Sequence, residues 1–254
     1  MGRALRRVRR SGAAGIGGVP PPQASFSPDR RDAVHSAVRM PVPRLLLAVA
    51  ALAAATSAQA QVGFTFAGRV GASLPFGDAY RTSTGAPVGM AENSTGSIPF
   101  QLDVGVTLAR HSFIGAYGQY RIGLLKSGAC PEGLSCSATG FRTGVEFLYS
   151  FATARSGLGA WVGIGSGWEW ATERGTSAAG SATLTLSGWE FFQAQVGFDL
   201  WMTNVTRMGY YVAGSLGQYS QARLSENGVV SSFAVPERAL HGWVEMGFKA
   251  TFDL

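Results

Sequence analysis

From Leu240 to Leu254, the residues Leu240, Gly242, Val244, Met246, Phe248, Ala250, Phe252 and Leu254 alternate with His241, Trp243, Glu245, Gly247, Lys249, Thr251 and Asp253. One register is wholly apolar. Successive side chains of a strand point to opposite faces, so a period of two describes a strand with one greasy and one polar side. No Pro interrupts it, and at roughly 3.3 Å per residue it reaches about 50 Å, enough to cross a hydrocarbon layer at a steep tilt. Such a strand must pair along both edges, and the rest of the chain has to supply the partners.

The same alternation recurs seven times upstream. The first strand begins at Gly63, with Phe64, Phe66, Gly68, Val70, Ala72 and Leu74 opposite Thr65, Ala67, Arg69, Gly71 and Ser73, and Pro75 is expected to end it. A polar stretch, Gly77 to Gly96, reads as a loop. The second strand sets Ile98, Phe100, Leu102, Val104, Val106 and Leu108 against Gln101, Asp103, Gly105 and Thr107; after a tight connection, the third sets Ile114, Ala116, Gly118, Tyr120, Ile122 and Leu124 against Tyr117, Gln119 and Arg121. A long connection, Lys126 to Thr139, precedes the fourth strand, where Phe141, Val145, Phe147, Tyr149 and Phe151 oppose Arg142, Gly144, Glu146 and Ser150. After a short turn, Ala152 to Gly157, the fifth strand runs from Leu158 to Trp170 and puts Trp161, Gly163, Gly165, Gly167 and Glu169 on its inner register. A loop is expected from Thr172 to about Ala182, although Ala182 to Leu186 also alternates and suggests a hairpin reaching beyond the membrane. The sixth strand places Phe192, Ala194, Val196, Phe198, Leu200 and Met202 outward against Gln193, Gln195 and Asp199. The seventh, Tyr210, Val212, Gly214 and Leu216 against Tyr211, Ala213, Ser215 and Tyr219, admits either parity, and a loop from Ala222 to Glu237 leads to the last strand.

Composition agrees with a barrel rather than an ordinary enzyme: 46% of residues are hydrophobic, only 14% are charged and Gly numbers 35. No apolar run is long enough for a membrane helix, so a crossing must use strands. The net charge of +6 does not point to nucleic acid, because nine of the 21 basic residues but two of the 15 acidic ones lie in residues 1 to 60, leaving twelve against thirteen, a net charge of −1. Within that segment, Met40 to Arg44 is positively charged, Leu45 to Ala54 is apolar, and Ala58-Gln59-Ala60 has the small-residue spacing of a secretory cleavage site. Residues 40–60 are therefore expected to be a signal peptide cut between Ala60 and Gln61. Residues 1–39 are expected to be disordered or untranslated, and residues 61–254 to be the barrel.

The expected fold is all-β, an eight-stranded antiparallel up-and-down transmembrane β-barrel; composition alone also allows a soluble eight-stranded periplasmic barrel with its apolar residues inside, against which the Gly-rich polar register and the aromatics near both strand ends weigh. Its connections alternate long and short, as outer-membrane barrels alternate external loops with periplasmic turns. Aromatics flank the apolar registers at both ends: Phe64, Phe66, Phe151, Tyr210 and Phe252 at one, Phe100, Phe141, Trp168 and Trp170 at the other. In its signal peptide, its first strand Phe64 to Phe76, the glycine-laced Trp161 to Trp170 and the terminal strand, the chain resembles the eight-stranded outer-membrane families typified by outer-membrane proteins A, X and W. The resemblance implies a Gram-negative envelope, contact with outer-membrane lipid and lipopolysaccharide, insertion by the barrel-assembly machinery, and a monomer; the protein W likeness also implies a narrow porin-like channel for small or apolar solutes. Those families usually end on an aromatic residue, whereas this chain ends Phe252-Asp253-Leu254, with Lys249 where a Gly is expected.

The polar registers carry Arg69, Asp103, Arg121, Arg142, Glu146, Asp199, Glu245 and Lys249. Counted from the periplasmic strand ends, Arg69, Asp103, Glu146 and Lys249 form a belt of two cations and two anions, with Arg121, Arg142 and Glu245 about three residues higher. Buried charges must be paired or hydrated, and paired they plug a lumen that in eight strands has little room beyond side chains. Cys130 and Cys136 bracket Pro-Glu-Gly-Leu-Ser on an external loop and read as a disulfide. No phosphate loop or metal-ligand spacing occurs in the mature chain, so no cofactor is expected. No catalytic residue is expected either: His111 lies at a periplasmic turn, and His241, near Glu237 and Glu245, is the one candidate for a lipid-modifying enzyme of the kind some eight-stranded barrels are.

Overall fold

The computed structural model describes residues 62–82, 84–151, 157–178, 180–235 and 237–254. The leader, the signal peptide with its Ala60/Gln61 cleavage site, and most of the Ala152 to Gly157 turn lie outside these residues. Eight long strands carry the fold: β1 (Val62–Arg81), β2 (Ser94–Leu108), β3 (Ser112–Leu125), β4 (Ser135–Ser150), β5 (Leu158–Ser177), β6 (Gly180–Trp201), β7 (Thr206–Glu226) and β8 (His241–Asp253). Each pairs antiparallel with its neighbours in sequence, and β8 returns to β1, from Thr65 opposite Asp253 to Gly77 opposite His241. The ring is closed. Closure leaves no edge through the spanning region, which hydrocarbon demands because it offers no partner for a free N–H or C=O.

The side-chain distribution is the reverse of a soluble protein's. Arg121, Arg142, Gln119, Gln193, Gln195, Glu169, Glu190 and Asp103 are less than 2% exposed, while Leu102, Val145, Phe198, Tyr210 and Phe248 each show half or more of their surface. Exposed apolar area of this extent, wrapped round a ring, is stable only against hydrocarbon. Aromatic pairs mark both rims: Phe66 stacks on Phe252 with ring centroids 4.8 Å apart at the turn end, and Phe141 and Trp170 lie 5.7 Å apart at the other. The seventh strand has the parity that puts Tyr211, Ala213, Ser215 and Tyr219 inside.

Several segments expected as loops are strands. β1 runs through Pro75 to Arg81, because its partner at that register, Trp243, is still in ladder; a three-residue strand, Pro87–Gly89, then folds back on it. Between β5 and β6 the ladder continues from Thr172–Thr185 to Ser177–Gly180, so the expected long loop is a tall hairpin and the external side gains height rather than loop length. Thr, Ser and Arg fill its outer register, and that polarity mimics a loop in sequence. The Ala222 to Glu237 loop likewise contains a hairpin, in which Asn227 (φ 49°) and Gly228 (φ 86°) make the turn that joins β7 to the strand Val229–Ala234. Both turn residues have positive φ, as a two-residue type I′ connection requires. The cysteine-bearing loop is shorter than expected: β4 starts at Ser135, and Cys130 and Cys136 are bridged across its entry.

Candidate functional site

The interior is filled, in layers that succeed one another from the short-turn end outward. The first is largely apolar: Phe113, Leu148, Trp161 and Tyr211, from β3, β4, β5 and β7, pack together. Their bulk is possible because glycines face them; a Cβ on Gly197 would lie 2.4 Å from the Trp161 ring, and one on Gly115 2.4 Å from that of Phe113. Asp199 accepts the Trp161 indole N–H at 2.9 Å and stands 3.7 Å from Arg207 Nε. Lys249, expected in the charged belt, instead sets its ammonium 4.1 Å from the centre of the Trp161 ring and forms no ion pair within 4 Å among the described residues. The reason is competition: Lys249 is directly opposite Arg69 in the ladder, and the Arg69 fork takes the nearby carboxylates.

That fork is the second layer. Arg69 Nε donates to Asp103 Oδ2 at 2.6 Å, Nη2 donates to both Glu146 oxygens at 2.9 and 3.1 Å, and Nη1 donates to Gln195. Gln195 in turn donates to Glu146 at 2.7 Å, and Gln101 to Asp103 at 2.7 Å. Arg142 centres the third layer. Its Nη1 donates to Glu190 at 2.9 Å and Ser215 at 3.1 Å, its Nη2 to Glu245 at 2.5 Å, and its Nε to Gln119 at 2.9 Å. Tyr117 adds a hydroxyl donor to Glu190 at 3.2 Å, and Gln119 donates to Gln101 at 2.9 Å, joining this layer to the one below.

In the fourth layer, Glu169 accepts from Arg121 at 3.0 Å and pairs with His241 Nε2. Arg121 lies over the Trp243 ring at 4.0 Å, and Tyr219 stacks on the His241 imidazole, their centroids 4.0 Å apart. His241 is therefore enclosed, 1% exposed, and its partner is Glu169 across the barrel rather than Glu237 or Glu245 along its own stretch. Above it an apolar cap of Ala79, Leu186, Tyr219, Ala222 and Val235, flanked by Met90 and Leu184, covers the external mouth. At the opposite end a cavity of about 20 Å³ lined by His111, Lys249 and Arg207 has room for little more than one water.

Two members of this network, Glu169 and Glu190, were not singled out from the sequence as part of it. Glu169 sits on the expected inner register. Glu190 does not: simple alternation back from Gln193 turns it toward lipid. The ladder shifts between Glu190 and Phe192, and opposite it between Gly165 and Gly167, so one residue is inserted and the parity reverses. Phe191 and Phe192 then both face outward and Glu190 goes inside. A carboxylate flanked by Trp189, Phe191 and Phe192 in a spanning strand is costly on the lipid side, and that cost was the available signal.

Among solved structures, the chain is similar to the outer membrane protein OprG from Pseudomonas aeruginosa (12% identity, TM-score 0.46, covering 75% of this chain and 95% of that one). It is also similar to Ail, the attachment invasion locus protein of Yersinia pestis (5%, 0.40, 75% and 98%), and to the outer membrane protein AlkL (14%, 0.40, 76% and 90%). No protein-family model matches the chain, and no curated protein matches it in sequence. The chain's own geometry carries the assignment. A closed ring of eight strands, apolar outside and ionic within, with short turns at one end and tall extensions at the other, is an outer-membrane β-barrel.

Proposed function

We propose that this barrel is a structural and surface-interaction component of the outer membrane, a monomer whose lumen is plugged and whose external sheet is presented outward. The observation that carries this reading is Arg142. Fully buried on β4, it bonds to Gln119 on β3, Glu190 on β6, Ser215 on β7 and Glu245 on β8, so that one side chain ties five strands across the axis. A passage for solutes has to break that knot, the Arg69 knot below it and the apolar cap above it. The narrow-channel alternative gains nothing from a lumen lined with ion pairs, since an apolar solute would have to pass charged groups that have no other partner. A catalytic role for His241 gains nothing either, because the imidazole is shut between Glu169 and Tyr219 inside the wall.

Planar-bilayer recording with the refolded protein tests the reading. The expected outcome is the absence of a defined unitary conductance, together with the gel-mobility difference between boiled and unboiled samples that a folded barrel gives. A reproducible open level in a preparation showing that mobility difference overturns the plugged lumen.

A further inference from the structure

At the short-turn end the filled lumen keeps a cup of about 20 Å³, and its lining changes with depth. Lys249, Asp199 and Trp161 are buried at its floor beside the apolar wall of the first layer, Arg207 and His111 are half-buried along its side, and Arg110 is exposed at the rim. Three cations therefore line it against one carboxylate. Asp253 stands next to Arg207, 3.4 Å from Nε, and even with it counted the cations outnumber the carboxylates. A concave, low-dielectric wall carrying mostly one sign of charge focuses its field on whatever enters.

Two of these cations have donors to spare. Lys249 is 4% exposed, rests on the Trp161 ring, and makes no ion pair or side-chain hydrogen bond among the described residues. A buried ammonium without a counterion is costly, and an anion in the cup offsets that cost. Arg207 Nε is shut off from solvent and donates no hydrogen bond, because its carboxylate neighbours, Asp199 at 3.7 Å and Asp253 at 3.4 Å, lie beyond ordinary bonding length.

The rim is held in an uncommon backbone. Ala109 (φ 50°) and Arg110 (φ 63°) are the central residues of the β2–β3 turn, positions where Asn or Gly usually supplies positive φ. His111 ties the turn down by donating from Nδ1 to the Ser150 carbonyl at 3.0 Å. A strained turn anchored in this way fixes the backbone of Arg110 at the mouth of the cup.

We propose that the cup binds a small monovalent anion of chloride's size from the periplasm. Lys249 and Arg207 Nε donate to it, and Arg110 raises its concentration at the entrance. Volume sets the class: roughly 10–15 Å³ admits one water, so this cup holds a halide, whereas sulfate or phosphate exceeds it. The donor set excludes a cation. Binding stabilises the folded barrel, because the cup exists only after the ring has closed. The cup lies below the Arg69 and Arg142 layers, so it stands whether or not those layers block conduction.

The test uses the refolded barrel in phosphatidylcholine nanodiscs, titrated with chloride at constant ionic strength with gluconate as the balancing anion. Binding is read from the line width of the chloride-35 NMR signal, and stability from urea unfolding at low and high chloride. The parent is expected to show saturable broadening that bromide displaces and sulfate does not, and an unfolding midpoint that rises with chloride. Lys249→Met should weaken chloride at least tenfold and make the midpoint independent of chloride, with its boiled-versus-unboiled mobility shift intact. Arg207→Gln should weaken it less, and Arg174→Gln, exposed on the external part of β5, should leave it unchanged. Broadening that does not saturate in the parent, or that persists in a folded Lys249→Met, overturns the site. If Lys249→Met does not fold, unchanged affinity in Arg207→Gln overturns it instead. Displacement by sulfate as effective as that by bromide overturns the halide class. A conducting parent that still binds chloride overturns the plugged lumen alone.

Discussion

Replacing Arg142 with Met tests the plug where it is most concentrated. The side chain is completely buried and is the shared partner of Glu190 at 2.9 Å and Glu245 at 2.5 Å. Met fills most of the aliphatic volume, so the cost comes from two carboxylates left without their cation. Removing one partner of a buried ion pair costs about 3–5 kcal/mol. The two losses do not simply double, because both carboxylates answer to the same guanidinium, each retains a neutral donor (Tyr117 at 3.2 Å for Glu190, Gln119 at 3.1 Å for Glu245), and either can take up a proton. The expected destabilisation at neutral pH is thus about 3–5 kcal/mol in all. It is read from urea unfolding in short-chain lipid vesicles, followed by tryptophan fluorescence and by the mobility of unboiled samples. The triple variant Arg142→Met, Glu190→Gln, Glu245→Gln removes the orphaned charges and is expected to recover more than half of the loss. A single variant within about 1 kcal/mol of the parent, or a triple variant no more stable than the single, would refute the reasoning.

Three further outcomes are expected. Gly197→Ala drives a Cβ to 2.4 Å from the Trp161 ring and 2.5 Å from the Tyr210 carbonyl, so it should lose about 1–3 kcal/mol in the same urea titration, whereas Gly214→Ala, which meets nothing within 4 Å, should not. Burial holds the Glu173 carboxyl, in the external part of β5, above its ordinary value. The folded state keeps a proton that the unfolded chain gives up, so this contribution is fully present below the ordinary carboxylate range and is lost as pH rises through the raised value; Glu173→Gln should flatten that fall in a pH series of unfolding curves. Finally, Cys130→Ser with Cys136→Ser opens a short loop closure worth about 2 kcal/mol in the chain-entropy model. Because the bridge closes only the β3–β4 connection, the expected change is faster proteolysis between Lys126 and Ser135, with the barrel's gel mobility unaltered.

What the amino-acid sequence by itself determined is the barrel: eight apolar registers of period two, each backed by a polar one, call for a closed ring once every strand has to be paired and no apolar run is long enough for a spanning helix. Strand membership and facing are legible because each residue's side is decided by its parity with its immediate neighbours, which is local information. The depth of Arg69, Asp103 and Glu146 could be counted from strand ends for the same reason. What only the tertiary structure decided is who pairs with whom across the axis. Glu190 enters the lumen through a bulge that reverses parity, Lys249 yields its carboxylates to the Arg69 fork and rests on Trp161, and His241 finds Glu169 three strands away. The tall external hairpins were hidden likewise, since a strand whose outer register is Ser, Thr and Arg reads as a loop until its inner register is seen packed beneath it. Alternation fixes a side chain's direction but not its partner: across a closed barrel the partner depends on shear, bulges and the competition of several donors for one carboxylate, all of which exist only after the ring has closed.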